Sequence, residues 1–269
     1  MPSPISAPPG AKLERLWIYP INSLDGLQVP EATITTTGAL RHDREFALFD
    51  AEDQYVNAKR HERFHLIRSE YPDPANPLRM RLTAPDLTPL EVNLDDRDEW
   101  PRAAQWFQSF FGFPIEIRRA SQTGFPDDRE RSGPTVLSRA TLETVAGWLP
   151  PIGADELARR LRANLELSGV PAFFEDGLIA EDGVPFRIGD CRIVGLHPCA
   201  RCAVPTRHPE SAEITKSFSK QLTARRKAEL PEWSDPARFK HYYVVSTNTR
   251  IPESESGKQL RAGDTLSVG

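Results

Sequence analysis

Two cysteines three residues apart, in Pro198-Cys199-Ala200-Arg201-Cys202, are the side chains of this sequence best suited to chemistry. Four chemistries fit them. His197, Cys199, Cys202 and His208 make a local four-ligand set for zinc, although structural zinc more often joins two paired motifs. A thioredoxin-type redox pair opens a helix behind a strand, whereas Val204-Pro205-Thr206 after Cys202 reads as extended. Both thiols can equally be inert, since free Cys packs as a small hydrophobe. The fourth chemistry uses a single thiolate as ligand to a soft, redox-active metal, with neighbouring cations depressing its pKa. Arg201 stands beside Cys202, and Arg207 and His208 follow. Spacing alone does not choose among the four.

The elements that must position these residues read as β-rich. Leu13 to Tyr19 alternates apolar and charged residues, as a half-buried strand does. Val29 to Thr37, Glu45 to Asp50, Leu66 to Ser69, Met80 to Thr83, Leu90 to Leu94 and Ile115 to Arg118 are further short strand candidates separated by turn-rich stretches. Trp100 to Gly112 carries Ala103, Ala104, Phe107, Phe110 and Phe111 at helical spacing, with Pro101 in the first turn. Ser138 to Trp148 reads as a helix capped by Ser138, and Asp155 to Leu161 as a second. Strand signals return between Ala163 and Leu196, and Ala212 to Leu230 has helical propensity. Tyr242 to Ser246 and Thr265 to Val268 close the chain. The expected class is therefore α+β, β-rich: a loose tail over 1–12, a module of short strands over 13–120 that reads as a barrel or sandwich, a polar linker over 121–133 and a second β-rich module with a few helices over 134–269.

The composition excludes several function classes. Among 269 residues, 34 Lys+Arg against 38 Asp+Glu leave a net charge of −4, without the basic excess of a general nucleic-acid binder. No apolar run approaches the ~18 residues of a membrane helix, and the Pro- and Ser-rich start lacks the core of a signal peptide. Three cysteines, Cys191 being the third, are too few and too odd for a disulfide scaffold. The expectation is a cytoplasmic protein with no membrane or nucleic-acid partner.

Several stretches resemble one family. Trp17-Ile-Tyr-Pro-Ile-Asn-Ser-Leu-Asp-Gly26 is similar to the Y-P-[VI]-K-S-x-x-G opening of the MOSC N-terminal β-barrel domain, and Gly38-Ala-Leu-Arg-His-Asp-Arg-Glu-Phe46 to the segment after it. Leu161-Arg-Ala-Asn-Leu165, Ile188-Gly-Asp190, Pro198-Cys-Ala-Arg-Cys-Ala-Val-Pro-Thr206 and Gly263-Asp264 resemble the R-x-N, I-G-D, C-x-R-C and closing G-D signatures of the MOSC domain, in family order. The chain thus resembles MOSC-domain proteins of the amidoxime-reducing component type, which implies an N-terminal β-barrel-like domain over 13–120 packed with a MOSC β-barrel domain carrying a few helices over 134–269. That resemblance implies a molybdenum cofactor, a pterin with a terminal phosphate, and reduction of small N-oxygenated substrates with electrons from a separate flavin or iron–sulfur donor. The family is also associated with pyridoxal phosphate binding.

The same resemblance implies roles for single residues. Cys202 falls at the family's metal ligand and is the expected catalytic residue, with Cys199 accessory. Ser23 and Arg44 fall where pterin and phosphate are held, and Arg162 and Asn164 on the cofactor-facing R-x-N strand. Ser132, Gly133 and Pro134 form a turn whose backbone meets the cofactor. Ala200 and Arg201 lead up to the ligand, and Tyr242 matches an aromatic near the pterin. Three departures stand out. Asn22 occupies the place of the family lysine, which removes a cation from the phosphate, Lys59 stands where the family frequently has an arginine, and Lys12, Arg41 or His42 are the candidates to compensate. Thr206-Arg-His-Pro-Glu-Ser-Ala212 replaces V-D-P-x-T-G, altering substrate access or donor docking. No ferredoxin-like cysteines follow Cys202 and no N-terminal anchor is evident. A non-catalytic cofactor carrier and a zinc-binding structural domain are the rival functions.

Overall fold

The computed structural model describes residues 5–126 and 132–269. Residues 1–4 of the expected tail and 127–131 of the expected linker lie outside the described residues. Ile5 and Ala7 already rest against the core, and Ala11 is buried.

The centre is an eight-stranded mixed sheet. Its strands run in the order Leu266–Val268, Val184–Ile188, Cys191–Ala200, Val244–Arg250, Thr135–Ser138, Leu165–Ser168, Lys12–Ile18 and Leu27–Val29. The alternation in Lys12–Ile18 does what it predicts. Leu13, Leu16 and Ile18 are buried while Lys12 and Glu14 face solvent, with a register shift between Leu13 and Arg15 resetting the pattern. Neighbouring strands pair antiparallel except Thr135–Ser138 with Leu165–Ser168. A parallel pair needs a crossover. Here it is made by two helices, Arg139–Trp148 and Ala154–Leu161. Ser138 caps the first as expected, its hydroxyl accepting from the Thr141 N–H at 3.0 Å.

The N-terminal half forms two three-stranded sheets rather than a closed barrel: Tyr55–Val56, Phe46–Phe49 and Glu116–Arg119, then Arg68–Glu70, Arg79–Thr83 and Leu90–Asn93. The helix Trp100–Phe111 packs Ala103, Trp106, Phe107, Phe110 and Phe111 against these sheets, and ends where Gly112 turns left-handed at φ 85°. Residues 12–33 belong to both halves. Lys12–Ile18 and Leu27–Val29 complete the large sheet, and Glu31–Thr33 pairs with Gln259–Arg261. The cavity described below opens between the halves.

The helix expected over 212–230 shortens to Phe218–Ala228. Ahead of it, residues 207–214 fold back into a bridge between Arg207 and Ile214. Pro209 cannot continue a helix, and His208 Nδ1 accepts the N–H groups of Glu210 and Ser211 at 3.2 and 3.3 Å. The helix is held by Arg226, whose Nη2 donates to both carboxylate oxygens of buried Asp176 at 2.9 and 2.7 Å.

Next to Asp176, Glu175 is wholly buried, and burial, reinforced by the Asp176 charge, raises its carboxyl to about 8. The folded protein therefore holds a proton that the unfolded chain releases above its ordinary value of 4.5, so Glu175 withdraws stability as pH rises from 4.5 to 8. Glu175→Gln is expected to gain on the wild type across that window by up to about 1.4 kcal/mol per pH unit. Urea denaturation at pH 5 and 8 checks this; parallel profiles would refute it.

Candidate active site

A cavity of about 260 Å³ lies between the two halves of the chain, and both Cys199 and Cys202 line it. The strand Cys191–Ala200 reaches it irregularly, with register shifts at Gly195/His197 and Pro198/Ala200 that let the chain leave the sheet at the cysteines. The departing segment is pinned by the next residues of the neighbouring strand. The Arg201 N–H donates to the Tyr243 carbonyl at 3.0 Å, and the Tyr243 hydroxyl donates to the Cys202 carbonyl at 3.1 Å. Both thiols are half-buried. The Arg201 guanidinium, adjacent to Cys202 in sequence, turns instead to Cys199: Nη1 donates to its sulfur at 3.1 Å, and Nη2 to the Leu161 carbonyl. Cys191 has no part here. It is buried at the start of its strand, and burial pushes its thiol up to about 12.

Arg162 enters from the opposite wall. It is the C-cap of the crossover helix Ala154–Leu161 and sits in the left-handed region at φ 57°, a place that favours glycine. Ser23 and Arg44 share that conformation at φ 73° and 51°. Three expected site residues thus occupy strained backbone, the kind of cost that folds accept where a side chain must be aimed. Tyr19 lies between the two guanidiniums, with Arg162 4.2 Å and Arg44 4.8 Å from its ring centre. Its ring fits because Gly26 has no Cβ; one built there would sit 2.4 Å from Tyr19. Burial raises the Tyr19 hydroxyl to about 12, so it stays protonated and donates to the Ala163 carbonyl at 3.3 Å.

The other expected residues divide. Ser23, Ser132, Gly133 and Asn164 line the cavity, as does Asn22. Ser23 Oγ donates to Asn22 Oδ1 at 2.7 Å and accepts from the Ala58 N–H at 3.0 Å, while Asn22 Nδ2 donates to the Phe125 carbonyl. Asn22 therefore braces the wall but brings no charge. Asn164 spans two strands, accepting from the Thr135 N–H and donating to the Trp17 carbonyl. Gly133 passes so close to Thr249 that a Cβ would lie 2.2 Å from its carbonyl oxygen, leaving its own backbone bare to the cavity. Pro134 and Ala200 stay outside the lining. Tyr242 stacks on Phe239 at 5.9 Å, also outside, and its neighbour Tyr243 makes the contact with the cysteine segment. Neither Lys12, Arg41 nor His42 lines the cavity; His42 instead pairs with Glu45 at 2.7 Å.

Among the lining residues that the sequence did not mark for the cavity are Tyr19, His65 and Arg68, whereas Arg207 stood out there as a cation following the cysteine pair. Tyr19 lay inside the opening motif. Nothing local marks His65 or Arg68, which the fold brings in from elsewhere.

Several cavity cations are internally satisfied. Arg44 pairs with Asp43 at 2.5 Å, Arg68 with Asp25 at 3.0 Å, Arg159 with Glu210 at 2.7 Å and Arg160 with Glu156 at 2.6 Å. Arg162 and Arg201 make no ion pair among the described residues, and Arg207 reaches only exposed Glu62 at 3.7 Å. Arg162 Nη2, Arg201 Nε, Arg207 Nε and His65 Nε2 are buried without a hydrogen-bond partner. Unpaired buried donors are costly and rare, and these converge on one cavity. A phosphate-bearing ligand with a thiolate-binding metal fits this donor set. No three His, Cys, Asp or Glu side chains gather to hold a metal among the described residues, so the zinc knuckle of His197, Cys199, Cys202 and His208 does not form.

Two family patterns match the chain: the MOSC N-terminal beta barrel domain over residues 10–114 and the MOSC domain over residues 134–267. The chain belongs to the MOSC-domain family. It is 28% identical over 232 residues to the mitochondrial amidoxime-reducing component 1 of Mus musculus, covering 73% of this chain and 66% of that protein. The Homo sapiens protein of the same name is 25% identical over 237 residues, covering 75% and 68%. The matches span about two thirds of the length of these relatives. The crystal structure of the YUAD protein of Bacillus subtilis superposes with a TM-score of 0.42 at 12% identity, over 100% of this chain and 98% of that one. No helix is long and apolar enough to cross a membrane among the described residues.

Proposed function

We propose that this protein binds the molybdenum cofactor in the cavity between its halves and reduces N-oxygenated small molecules there. The observation that carries the reading is one cavity in which Cys202 faces a group of buried guanidinium N–H donors with no partner of their own. Family membership and the amidoxime-reducing names of the relatives support it.

When bound, the cofactor supplies a metal centre able to accept an oxygen atom from an N–O bond and return two electrons. Everything else falls to the chain. Cys202 supplies the soft thiolate ligand such a metal prefers. Arg162 supplies its buried, unpartnered Nη2 as a donor suited to a phosphate oxygen, with Nη1 anchored on the Leu24 carbonyl, and Ser132 and Gly133 offer the close backbone edge of a flat ring system. Tyr19, protonated and wedged between Arg44 and Arg162, holds those guanidiniums apart and in place. Asn164, fully engaged with Thr135 and Trp17, fixes the wall rather than reading the ligand. Pyridoxal phosphate draws no support from the cavity, because the only lysine lining it among the described residues, Lys59, is exposed. Electrons come, on this reading, from a separate flavin or iron–sulfur protein, the donor class that the family resemblance implies.

Protein produced in a molybdenum-sufficient host is expected to carry about one molybdenum and one pterin per chain and to reduce an amidoxime with a chemical electron donor. Cofactor without turnover would make the chain a carrier. Zinc in place of molybdenum and pterin would overturn the reading.

A further inference from the structure

His65 is the residue in the cavity that the proposed function does not use. It sits in the short 3₁₀ helix Glu62–Leu66, and its Nε2 is buried with no partner. Four arginines from other elements line the same cavity and act on its charge: Arg207 after the cysteine segment, Arg162 and Arg160 on the crossover helix and its cap, and Arg68 on the strand Arg68–Glu70. Two of these are spoken for, Arg160 by Glu156 and Arg68 by Asp25. Arg162 has no carboxylate, and Arg207 has only the 3.7 Å contact with Glu62. Each of these two also leaves one buried N–H unused, Nη2 on Arg162 and Nε on Arg207.

We propose that Arg207 and His65, with Arg162, form a seat for a tetrahedral oxyanion, and that His65 takes up one proton when the anion binds. Phosphate monoesters have the matching chemistry: two negative charges against one guanidinium with no carboxylate and one with only a long contact to exposed Glu62, and oxygens for three orphaned nitrogens. Arg207, whose Nη1 donates to the Ala58 carbonyl at 3.3 Å, thereby supplies the cation that Asn22 lacks.

The proton follows from electrostatics. In the free cavity burial, then the four neighbouring guanidiniums, push the imidazole down to about 4, so it is neutral at working pH. A dianion reverses the local field and favours the imidazolium. Affinity therefore falls as pH rises through the range between the free and bound pKa values, by up to tenfold per pH unit. Insofar as the oxyanion is a cofactor phosphate, the inference rests on the function proposed above; an anionic group on the substrate is the other source.

Sulfate is the probe, because it remains a dianion across this pH range. Full-length protein from a host unable to make the cofactor is titrated by calorimetry at pH 5–7 in buffers of different ionisation heat. The expected result is sulfate binding with uptake of up to one proton. Arg207→Gln is expected to weaken it about tenfold or more, and His65→Gln to abolish the uptake while some binding survives. Arg225→Gln, on the exposed face of the helix Phe218–Ala228, controls for general charge. The imidazole resonance of His65 in the wild type gives the same readout should the variant not fold. Binding without proton uptake, or binding indifferent to Arg207, overturns the proposal. Repeating the titration on cofactor-loaded protein identifies the source: loss of sulfate binding assigns the seat to the cofactor phosphate, and retention assigns it to the substrate. A chain that never loads cofactor yet binds sulfate in this way refutes the proposed function and leaves the seat standing.

Discussion

Replacing Cys202 by serine is expected to lower amidoxime reduction by molybdenum-loaded protein roughly a thousandfold, about 4 kcal/mol on the barrier. The fold should not notice. Cys202 is half-buried, and its side chain makes no hydrogen bond among the described residues; the segment is held by backbone contacts to Tyr243. The thermal midpoint is accordingly expected to stay within a degree or two of the wild type. Cys199→Ser separates the two thiols. Its sulfur accepts from Arg201 at 3.1 Å, a hydroxyl can accept the same bond, and turnover should fall less than about tenfold, the lower end of effects seen for groups that support a ligand without being one. Turnover per bound molybdenum is the measurement. Equal losses in both variants would remove Cys202 from its special place, and full activity in Cys202→Ser would end the thiolate mechanism.

The second large effect concerns stability. Arg226→Met should destabilise the protein by about 3–5 kcal/mol, because it leaves the Asp176 carboxylate buried without its cation. Both oxygens of Asp176 bond to Arg226 Nη2, and one also accepts from Ser234 Oγ at 2.6 Å. Both charged residues are almost wholly buried, and Arg226 also lies 4.1 Å over the Phe173 ring. Each kcal/mol moves the midpoint of a domain of this size by about 2–4 °C, so a fall on the order of 10 °C is expected. Pairing it with Asp176→Asn should recover part of the loss, since the uncompensated charge disappears. Urea denaturation of the two single variants and the double variant checks this; strictly additive losses would show that the ion pair is not the cause.

How much of this was legible in the sequence varied with the range of the cause. Periodicity sufficed where burial is one-sided and local, as in Lys12–Ile18 and in the helix Trp100–Phe111, which ends at Gly112. The Ser138 cap was readable because capping involves residues three apart. The strand Thr135–Ser138 was not, since its four residues carry no alternation; three of the four are buried in the middle of a sheet. The helix before Phe218 was overcalled because polar composition hid the turn that Pro209 and His208 impose. At the site, motif positions delivered Cys202, Ser23, Arg44 and Arg162 to one cavity but placed Tyr242 outside it. They gave no sight of His65 or Arg68, and showed Arg207 only as a cation near the cysteine pair. Those residues reach the cavity through tertiary packing, and an arginine on a strand or after a turn looks the same whether it faces water or a ligand.

The placement of Lys12–Ile18 also bears on how the chain is made. This opening strand can form its hairpin with Leu27–Val29 at once, but its other edge waits for Leu165–Ser168. At roughly 5–20 residues per second, a ribosome needs on the order of ten to thirty seconds to deliver that partner. For that interval the hairpin displays unpaired backbone and the apolar side chains of Leu13 and Leu16. Slowing translation ahead of residue 165 should therefore lower soluble yield far more than slowing it afterwards, which makes the timing of synthesis, and not only the sequence, a determinant of whether this sheet closes.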